Sequence, residues 1–488
     1  MAKYTVLTGA TGLLGAYLLK DLLQADTPVA VLVRSNRMES AHQRIEGILR
    51  RSERLLGRPL PRPVIFESNL HQPDLGLNKE ERQWLARHAD TMLHNAASLS
   101  FVANEHGEPY KSNVDGTRHI LELCRETGIR RFHHVSTAYV CGRRKGIILE
   151  SELDDSQGFG NDYEKSKFTA ETMVRKSGFL DSVTVFRPAI ITGDSITGYT
   201  STFHGFYAPI KILSPLIDPV TVDVSGVEVF ARAIGMNPDD RKNFVPVDWI
   251  SRVMSTIVLN RRLHDECYHL SAANRVPINE MSRQIAEGII RFKKSDKKPS
   301  DAKPVDLASL LPLFREQMTV YQAYWKDDPE FDMTNTRRAV PQYPPITMTP
   351  ALLDTLIRYA IESRFGWPKP KPTDLGFTTN DEFGYRISPS GAESVEGGFQ
   401  FGLRVTGSGG GDWTLTEKDG KLCIDVGLNE NGPLLSMNSE TFRMLIENGN
   451  WKTVRARSAW ECVTSDEFVR ALEAIRIAVR ERRERIAL

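Results

Sequence analysis

Short apolar runs rich in β-branched residues alternate with longer amphipathic segments over the first 190 or so residues of this chain. The short runs predict strands and the longer segments predict helices between them. This alternation is typical of a doubly wound α/β fold, a parallel sheet with helices on both faces. The predicted strands are YTVLTG, VAVLVR, PVIFES, TMLHNA, FHHVST and SVTVFRP, and the predicted helices are LLGAYLLKDLLQ, SAHQRIEGILRRSERLL, EERQWLARHA, TRHILELCRETG and YEKSKFTAETMVRKSG.

The pattern divides the rest of the chain into further regions. Residues 1–366 form the first predicted domain, with the sheet in about 1–195 and a smaller substrate lobe in about 196–366, where FVPVDWI and ECYHLSA are the predicted strands. Residues 367–373 lie in the proline-rich stretch WPKPKPTD and are predicted to form a stiff spacer. Residues 374–488 return to alternating strands with Gly-rich turns, followed by an amphipathic helix with Phe468, Leu472, Ile475 and Val479 on one face. We therefore predict a C-terminal α+β domain.

Composition narrows the class of protein. A chain of 488 residues is too long for one core. A net charge of +1 gives no reason to expect nucleic acid or an anionic membrane as the main partner. The 5 Cys are scattered without a CxxC pair, which argues against disulfides and a zinc site and for a reducing compartment. The first residues enter a strand at once and no apolar run approaches about 18 residues, so we expect a cytoplasmic protein with no metal.

The stretch TGATGLLG follows the first strand and opens the first helix. Gly9 would permit the tight turn, Gly12 the approach of a pyrophosphate, and Gly15 close helix–strand packing. Amide groups at the start of the helix would then face the phosphates. The strand–turn–helix context favours a Rossmann-type dinucleotide site over a plain glycine turn.

The second strand ends in Arg34 and Ser35, with no acidic residue before Glu39. An NAD site usually has a carboxylate at this position, whereas a guanidinium matches the 2′-phosphate of NADPH. We therefore favour NADPH over NADH, the alternative being that Arg34 is a solvated charge. Asn95 in HNAAS follows the fourth strand and is predicted either to contact the cofactor or simply to pack. Asn69 in SNL follows the third strand and is predicted either to contact the adenine or to form a turn.

Three side chains are predicted to form the reaction centre. Thr137 follows a strand, and Tyr163 and Lys167 lie four positions apart on one face of a predicted helix. A nearby ammonium lowers the pKa of a phenol, so Tyr163 would donate a proton to a carbonyl oxygen while hydride arrives at carbon. Thr137 would hold that oxygen. The alternative, that Tyr163 and Lys167 form an ordinary surface pair, is disfavoured by the converging strand ends.

The ordered motifs TGATGLLG, HNAAS, NVDGT, VSTAYVCG, the Tyr163–Lys167 pair and RPAIITGDSITG resemble the extended short-chain dehydrogenase/reductase superfamily over about residues 3–365. The resemblance implies that Thr137, Tyr163 and Lys167 are catalytic. It implies that Asn113 braces the site through its backbone, the alternative being a helix cap, while His133 and His134 are expected to pack in the core. The predicted cofactor contacts are Gly9, Thr11, Gly12, Leu13, Leu14, Gly15, Arg34, Asn69, Leu70, Asn95, Ala96, Ala97, Asn113, Tyr163, Lys167, Arg187, Pro188 and Ile190.

Within the superfamily, VLVRS, the basic helix after it, PDLGLNKEERQWLARHADTMLHNAA, GDSITG and NFVPVDWIS are similar to the thioester reductase and fatty acyl-CoA reductase branch. This implies reduction of thioesters on coenzyme A or a carrier protein to aldehydes or alcohols with NADPH. The branch often has Asp where this chain has Asn69. The sequence has no adenylation or carrier domain, so a carrier-bound substrate would come from another protein.

The C-terminal region faintly resembles sterol-carrier-protein-type lipid-binding domains in VTGSGGGDWTLTEKDGKLCIDVG and PLLSMNSETFRMLIENG. The resemblance implies that Trp413, Phe442, Leu445 and Ile446 line or support an apolar cavity. The alternatives are that these residues are plain core and that the domain serves dimerisation, as in a homodimer, or shields the reductase.

These residues suggest four candidate functions. The first is reduction of an acyl thioester or another lipid-like carbonyl, and the second is ketone/alcohol oxidoreduction of an apolar polycyclic, sterol, quinone-like or polyketide compound. Thr, Tyr and Lys serve both equally. A nucleotide-sugar epimerase or dehydratase is disfavoured because STAYV has no carboxylate beside Thr137. A non-enzymatic cofactor-sensing scaffold is disfavoured because the Thr/Tyr/Lys set is intact.

Overall fold

The structure is a computed structural model. It describes residues 3–216, 237–293, 326–376, 400–418, 421–428, 433–448 and 459–461, together with the single positions 312, 316, 324, 378, 475 and 479. The side chains are described throughout these ranges except at 216, 417, 418, 421, 422, 448 and 459–461.

Strands and helices alternate through the first 190 residues, as predicted. The strands are β1 (Tyr4–Thr8), β2 (Val29–Val33), β3 (Val64–Glu67), β4 (Ala89–His94), β5 (Arg131–Val135), β6 (Ile147–Ile148), β7 (Ser182–Pro188) and β8 (Ile190–Thr192). The helices are α1 (Leu13–Gln24), α2 (Ala41–Leu56), α3 (Lys79–His88), α4 (Gly116–Thr127) and α5 (Asp162–Arg175). The six predicted strands and five predicted helices are confirmed, with ends that agree within about three residues.

The next part of the chain contains shorter strands and five helices in the described ranges. The strands are β9 (Arg241–Lys242), β10 (Phe244–Pro246), β11 (Cys267–Leu270), β12 (Val276–Pro277) and β13 (Glu330–Phe331). The helices are α6 (Tyr207–Leu216), α7 (Val247–Leu259), α8 (Ile278–Phe292), α9 (Thr334–Ala339) and α10 (Pro350–Glu362). FVPVDWI is therefore a strand only as far as Pro246, because α7 begins at Val247.

Among the described residues, seven parallel strands form the main sheet in the order β11-β7-β5-β4-β1-β2-β3. Every residue of β1 and β2 is buried because helices cover both faces of the sheet. This confirms the predicted doubly wound fold. The sheet does not end near residue 195, since β11 forms its edge beside β7.

The described ranges contain neither a membrane-spanning helix nor a metal-binding cluster. Each helix in those ranges is too short or too polar to span a lipid bilayer. No cluster of His, Cys, Asp and Glu side chains in those ranges is arranged to hold a metal ion.

A second sheet follows residue 400. Its described strands are β14 (Gln400–Thr406), β15 (Gly411–Lys418), β16 (Lys421–Val426), β17 (Leu434–Asn438) and β18 (Ala459–Glu461), in the order β16-β15-β14-β17-β18, and α11 (Ser439–Asn448) follows β17. Trp413, Phe442 and Leu445 are buried in one core, and Ile446 packs against it. That packing agrees with the plain-core alternative, while the lipid-binding interpretation stays a prediction.

The C-terminal sheet packs directly on the first domain. The core that contains Trp413 also contains Tyr4, at the start of β1, and Trp84 of α3. Trp84 Nε1 donates a hydrogen bond of 2.8 Å to the carbonyl of Val426, and the amide of Leu428 donates one of 2.8 Å to the Tyr4 hydroxyl. The two regions therefore share one hydrophobic core, and their contacts include Tyr4 at the start of β1.

The last predicted helix is only partly described. Ile475 and Val479 are buried in the same shared core, as their predicted position on an apolar face requires. Phe468 and Leu472 lie outside the described residues.

The proline-rich connection is held against α2 where it ends. Thr373 accepts a hydrogen bond of 3.0 Å from Gln43 Nε2 at its carbonyl and donates one of 3.2 Å from its amide to Glu39. Arg50 donates to the carbonyls of Asp374 at 2.6 Å and Leu375 at 3.1 Å. The end of the predicted spacer is therefore a docked segment.

Candidate active site

The carboxyl ends of the parallel strands border a cavity of about 610 Å³. One half follows the glycine-rich turn after β1 and the ends of β2 and β3. The other half extends past Thr137 and Tyr163 into the lobe formed by residues near α6 and α8. A crevice at this edge of an open α/β sheet is the usual place for a dinucleotide and its substrate.

The glycine-rich turn has the geometry that its sequence predicts. Gly9 has φ +70°, and a Cβ there would lie 2.8 Å from the Cα of Ala96. A Cβ on Gly15 would lie 2.0 Å from the Gly9 carbonyl oxygen, so the helix can approach the turn only without a side chain. A Cβ on Gly12 would meet only the Gly9 oxygen, at 3.4 Å, and Gly12 lines the cavity. Gly12 therefore leaves the backbone open to the cavity, as its predicted pyrophosphate contact requires.

Two guanidinium groups lie at the end of β2. Arg34 is exposed and lines the cavity, and Arg44 of α2 lines it from the adjoining wall. Arg44 donates to Thr11 Oγ1 at 2.9 Å and also to the carbonyl of Arg34. Burial, and then the neighbouring charge of Arg34, lowers the pKa of Arg44. Sequence reasoning missed Arg44, whose only signal was its place in the first turn of a basic helix.

The wall after β3 is formed by Ser68, Asn69, Leu70 and His71. Asn69 Oδ1 accepts a hydrogen bond of 3.1 Å from the amide of His71, so the residue does form a turn. It also lines the cavity, as its predicted cofactor contact requires. The turn is therefore present in the structure, and the cofactor contact of Asn69 stays a prediction.

A buried hydrogen-bonded chain supports the floor of the cavity. The Thr117 hydroxyl donates to the Asn113 carbonyl at 2.6 Å, so its oxygen accepts from His94 Nε2 at 3.1 Å. Burial, and then the charge of Lys167, lowers the pKa of His94 to about 3, so the ring is neutral and its Nδ1 accepts from Thr8 Oγ1 at 2.8 Å. Thr8 Oγ1 in turn accepts from the amides of Asn95 at 3.1 Å and Ala96 at 3.0 Å. These bonds fix the HNAAS backbone beside the glycine turn.

The side chain of Asn113 joins two segments beside the site, while its predicted bracing through the backbone stays a prediction. It lies in a wide helical turn, Lys111–Asp115, and does not line the cavity. Its Oδ1 accepts from the amide of Ser98 at 2.7 Å, and its Nδ2 donates to the Ser98 carbonyl at 3.1 Å and to Ser166 Oγ at 2.9 Å. Ser166 then donates to the carbonyl of Tyr163 at 2.8 Å. Asn113 therefore ties the strand end at Ser98 to the helix that carries Tyr163.

Thr137, Tyr163 and Lys167 line the same cavity. Asn161 caps the start of α5 by accepting from the amide of Glu164 at 2.9 Å, and this start places Tyr163 and Lys167 on one helical face. Lys167 Nζ donates to the carbonyl of Val135 at 2.6 Å, which directs its stem along the end of β5. The convergence expected from the sequence is present in the structure.

The electrostatics of this trio differ from the expectation. Burial raises the pKa of Tyr163 to about 12, while a hydrogen bond with Thr137 lowers it and the charge of Glu164 raises it. Burial lowers the pKa of Lys167 to about 8, partly offset by Glu171. The net pKa of Tyr163 therefore lies above its ordinary value, because burial outweighs the hydrogen bond with Thr137.

The lowered pKa of Lys167 predicts a pH-dependent cofactor affinity. The ammonium is present below a pKa of about 8 and is lost as pH rises through that value, whereas Tyr163, with a pKa of about 12, stays protonated. We expect the affinity for NADPH to fall about tenfold between about pH 7 and about pH 9.5, since a charge-assisted hydrogen bond contributes roughly 1.5–3 kcal/mol. Fluorescence titration at each pH measures it. Lys167→Met should abolish the dependence, and a flat wild-type profile would contradict the role of Lys167.

Five of the residues predicted near the cofactor or the catalytic strand do not line the cavity: Gly15, Asn113, Arg187, His133 and His134. Arg187 is buried against Glu171, to which it donates at 2.6 Å and 3.1 Å. It therefore holds the helix one turn beyond Lys167. His133 and His134 are fully buried, and burial keeps their pKa values well below the usual range, which agrees with the expected packing role.

The lobe half of the cavity has a largely apolar wall in the described residues. Phe101, Tyr139 and Tyr324 form an aromatic group, with ring centroids 5.3 Å apart for Phe101–Tyr324 and 5.4 Å apart for Tyr139–Tyr324. Phe101 also lies 6.0 Å from the ring of Tyr163. Sequence reasoning missed these residues because their positions in the sequence are far apart. Further apolar lining residues are Leu99, Ile190, Ile191, Phe206, Pro209, Phe244, Ile278 and Met281.

The sequence of this chain matches the model of a known protein family. The sequence model described as male sterility protein, an NAD-binding family, matches residues 7–254, about half of the chain. A linear gramicidin synthase of Brevibacillus parabrevis is 34% identical over 289 residues, which cover 57% of this chain and 5% of that protein. The aldehyde reductase lnaA of Aspergillus flavus is 26% identical over 403 residues, covering 74% of this chain and 36% of that protein. The chain thus spans about a third or less of the length of these relatives.

Solved structures with the same fold include reductase domains. The terminal R domain from the myxalamid PKS-NRPS biosynthetic pathway is 26% identical with a TM-score of 0.57, covering 76% of this chain and 93% of that domain. The reductase domain of a nonribosomal peptide synthetase from Mycobacterium tuberculosis, 20% identical, has a TM-score of 0.52 and covers 74% and 92% of the two chains. The second comparison concerns the fold alone.

Proposed function

We propose that this chain, which belongs to the male sterility protein family in the thioester-reductase branch of the extended short-chain dehydrogenase/reductase superfamily, reduces an acyl thioester to an aldehyde or alcohol with NADPH. One observation carries the proposal: Thr137, Tyr163 and Lys167 meet on a cavity that joins a dinucleotide turn to an apolar lobe. The names of its relatives, an aldehyde reductase and peptide synthetases, support the same reaction class.

The chemistry follows from the arrangement of these side chains. A bound nicotinamide supplies the hydride that reduces the thioester carbon. Thr137 and Tyr163 hold the carbonyl oxygen, and Tyr163 donates its proton as that oxygen gains negative charge. The high pKa of Tyr163 keeps the phenol protonated until that moment. Lys167 stabilises the phenolate that results. Collapse of the adduct breaks the carbon–sulfur bond and releases an aldehyde and a thiol, so one thioester, one NADPH and one proton are consumed.

NADPH is the proposed cofactor because the end of β2 carries positive charge. Arg34 and Arg44 both line the cavity where the adenosine ribose of a dinucleotide bound at the glycine turn would lie. Guanidinium groups bind phosphate through paired, charge-assisted hydrogen bonds. In the NAD-specific arrangement a carboxylate would occupy the strand end, and this chain has Arg34 there.

The substrate is proposed to be an apolar acyl group carried on coenzyme A or on a carrier protein. The lobe half of the cavity offers rings and aliphatic side chains, and its charged Lys242 is paired with Asp328. A wall of this kind stabilises an acyl chain by excluding water from it. The peptide synthetase relatives favour a carrier-bound form, with the carrier supplied by another polypeptide or another segment.

The test is a substrate comparison with purified protein. Dodecanoyl-CoA with NADPH should give loss of reduced-nicotinamide absorbance and release of free thiol, one thiol for the first hydride consumed. An apolar ketone of similar length should give neither. A Tyr163→Phe preparation is the control for non-enzymatic loss of NADPH. Turnover of the ketone without turnover of the thioester would overturn the proposal in favour of a ketone reductase.

A further inference from the structure

A buried carboxylate joins three distant parts of the chain behind the reaction centre. Asp328 is 2% exposed. Its Oδ2 accepts from the Tyr139 hydroxyl at 2.7 Å and from the amide of Asn243 at 3.0 Å, and its Oδ1 accepts from Lys242 Nζ at 3.1 Å. Tyr139 and Lys242 both line the cavity. Asp328 therefore fixes two side chains of the cavity wall from behind.

The bond to Tyr139 leads directly to a predicted catalytic group. Tyr139 belongs to the short 3₁₀ helix Ala138–Cys141, and Thr137 is its N-cap. The amide of Tyr139 donates to Thr137 Oγ1 at 3.3 Å, and Thr137 Oγ1 is 3.4 Å from the carbonyl of Pro188. The position of the Thr137 hydroxyl thus depends on where this helix sits. The ring of Tyr139 is held at its far end by Asp328 and lies 5.6 Å from the ring of Phe331.

The segment that carries Asp328 is itself anchored. Its amide donates to the carbonyl of Arg241 at 3.0 Å, and its carbonyl accepts from Arg275 at 2.6 Å. Two residues later β13 pairs in parallel with β6, which follows the 3₁₀ helix in sequence. The carboxylate is therefore a fixed point to which the 3₁₀ helix can be tied.

Charge balance keeps this arrangement stable. Lys242 neutralises Asp328, which would otherwise be a costly buried anion. Burial, and then the charge of Asp328, holds the pKa of Tyr139 well above its usual value, so this phenol remains a donor to the carboxylate. Tyr139 and Tyr163 border the same cavity, yet the Tyr139 proton is already engaged by Asp328.

We propose that Asp328 is a positioning residue for the reaction: through Tyr139 it holds the 3₁₀ helix that presents the Thr137 hydroxyl to the substrate carbonyl. The inference rests on the proposed function, in which Thr137 holds that oxygen. Misplacement of a catalytic group by about 1 Å costs on the order of 100-fold in rate. The effect on rate should therefore appear in kcat and depend on Thr137.

The test is a mutant cycle between Asp328 and Thr137. Asp328→Asn should lower kcat about 10- to 100-fold, with the Kd for NADPH within about twofold of wild type. In a Thr137→Ala background the same substitution should cost less than about twofold, because the hydroxyl that it positions is gone. An equal loss in both backgrounds would overturn the proposal, since a general structural defect does not depend on Thr137.

A milder variant and a matched control keep the test decisive. Tyr139→Phe removes only the hydroxyl that Asp328 holds, and it should lower kcat by a smaller factor that vanishes in the Thr137→Ala background. Asp327→Asn is the control, because this neighbouring side chain is 54% exposed and pairs with Arg275. Its kcat should stay within about twofold of wild type.

Crystal structures separate failure of this inference from failure of the proposed function. If neither thioester nor ketone is turned over, the proposed function fails, and the structure of Tyr139→Phe still tests the positioning. A displaced 3₁₀ helix with a broken bond between the Tyr139 amide and Thr137 supports the inference. An unmoved helix in both Tyr139→Phe and Asp328→Asn overturns it.

Discussion

Replacing Tyr163 with Phe is expected to lower kcat about a thousand-fold, since a positioned proton donor contributes roughly 10²–10⁴ to rate. The substitution removes only the hydroxyl at the cavity wall and keeps the ring that lies 6.0 Å from Phe101. The helix is also retained, because Ser166 bonds the main-chain carbonyl of residue 163. Steady-state NADPH oxidation with the thioester measures the loss.

Binding and folding controls decide what that loss means. The Kd for NADPH and the melting temperature of Tyr163→Phe should stay close to wild type. Tyr110→Phe is the matched control, because its hydroxyl donates to Asp162 at the start of the same helix, at 2.9 Å, and Tyr110 does not line the cavity. Full activity in Tyr163→Phe would remove this residue from the mechanism.

The second large effect is expected at the end of β2. Replacing Arg34 and Arg44 together with Ala should reduce the preference for NADPH over NADH about a hundred-fold or more, since each charged hydrogen bond contributes roughly 1.5–3 kcal/mol. Each single variant should give part of the loss. The ratio of kcat/KM for the two cofactors, and the ratio of their Kd values, measures it.

Arg54→Ala is the matched control for the arginine pair. Arg54 lies in the last turn of α2, the helix that also carries Arg44. It is exposed and does not line the cavity. Its cofactor preference should equal that of wild type. If the double variant also keeps the wild-type preference, the charges at the end of β2 do not read the 2′-phosphate.

The fold was largely predictable because the strands of the main sheet are buried on both faces. Such strands appear in sequence as uninterrupted apolar runs, which is why the strands from β1 to β5 and β7 were identified. The pairing of β11 with β7 at the edge of this sheet was not predicted, because the neighbours of a strand depend on tertiary packing. Val247 shows a second limit: VDWI reads as a strand, yet Pro246 and Asp248 start a helix there.

The site was predictable where a motif fixes local geometry. Gly9 and Gly12 act within one turn, and Tyr163 and Lys167 within one helix, so their spacing is informative. Arg44 was missed because the sequence pattern shows only that it lies on the polar face of a helix. The pattern does not show that this face borders the cavity. Asp328 was missed because 189 residues separate it from its partner Tyr139. Arg187 was assigned to the cofactor from its motif, although its side chain is buried against Glu171.

The contacts of the C-terminal sheet with the first domain limit where this chain can be cut. A piece cut at residue 366 would lose the carbonyl of Val426 and the amide of Leu428, and would turn Trp84 and Tyr4 toward water. Newly bared aromatic surface of this kind promotes aggregation. A shortened or fused version of this chain should therefore keep the C-terminal sheet together with Ile475 and Val479, which lie in the same core.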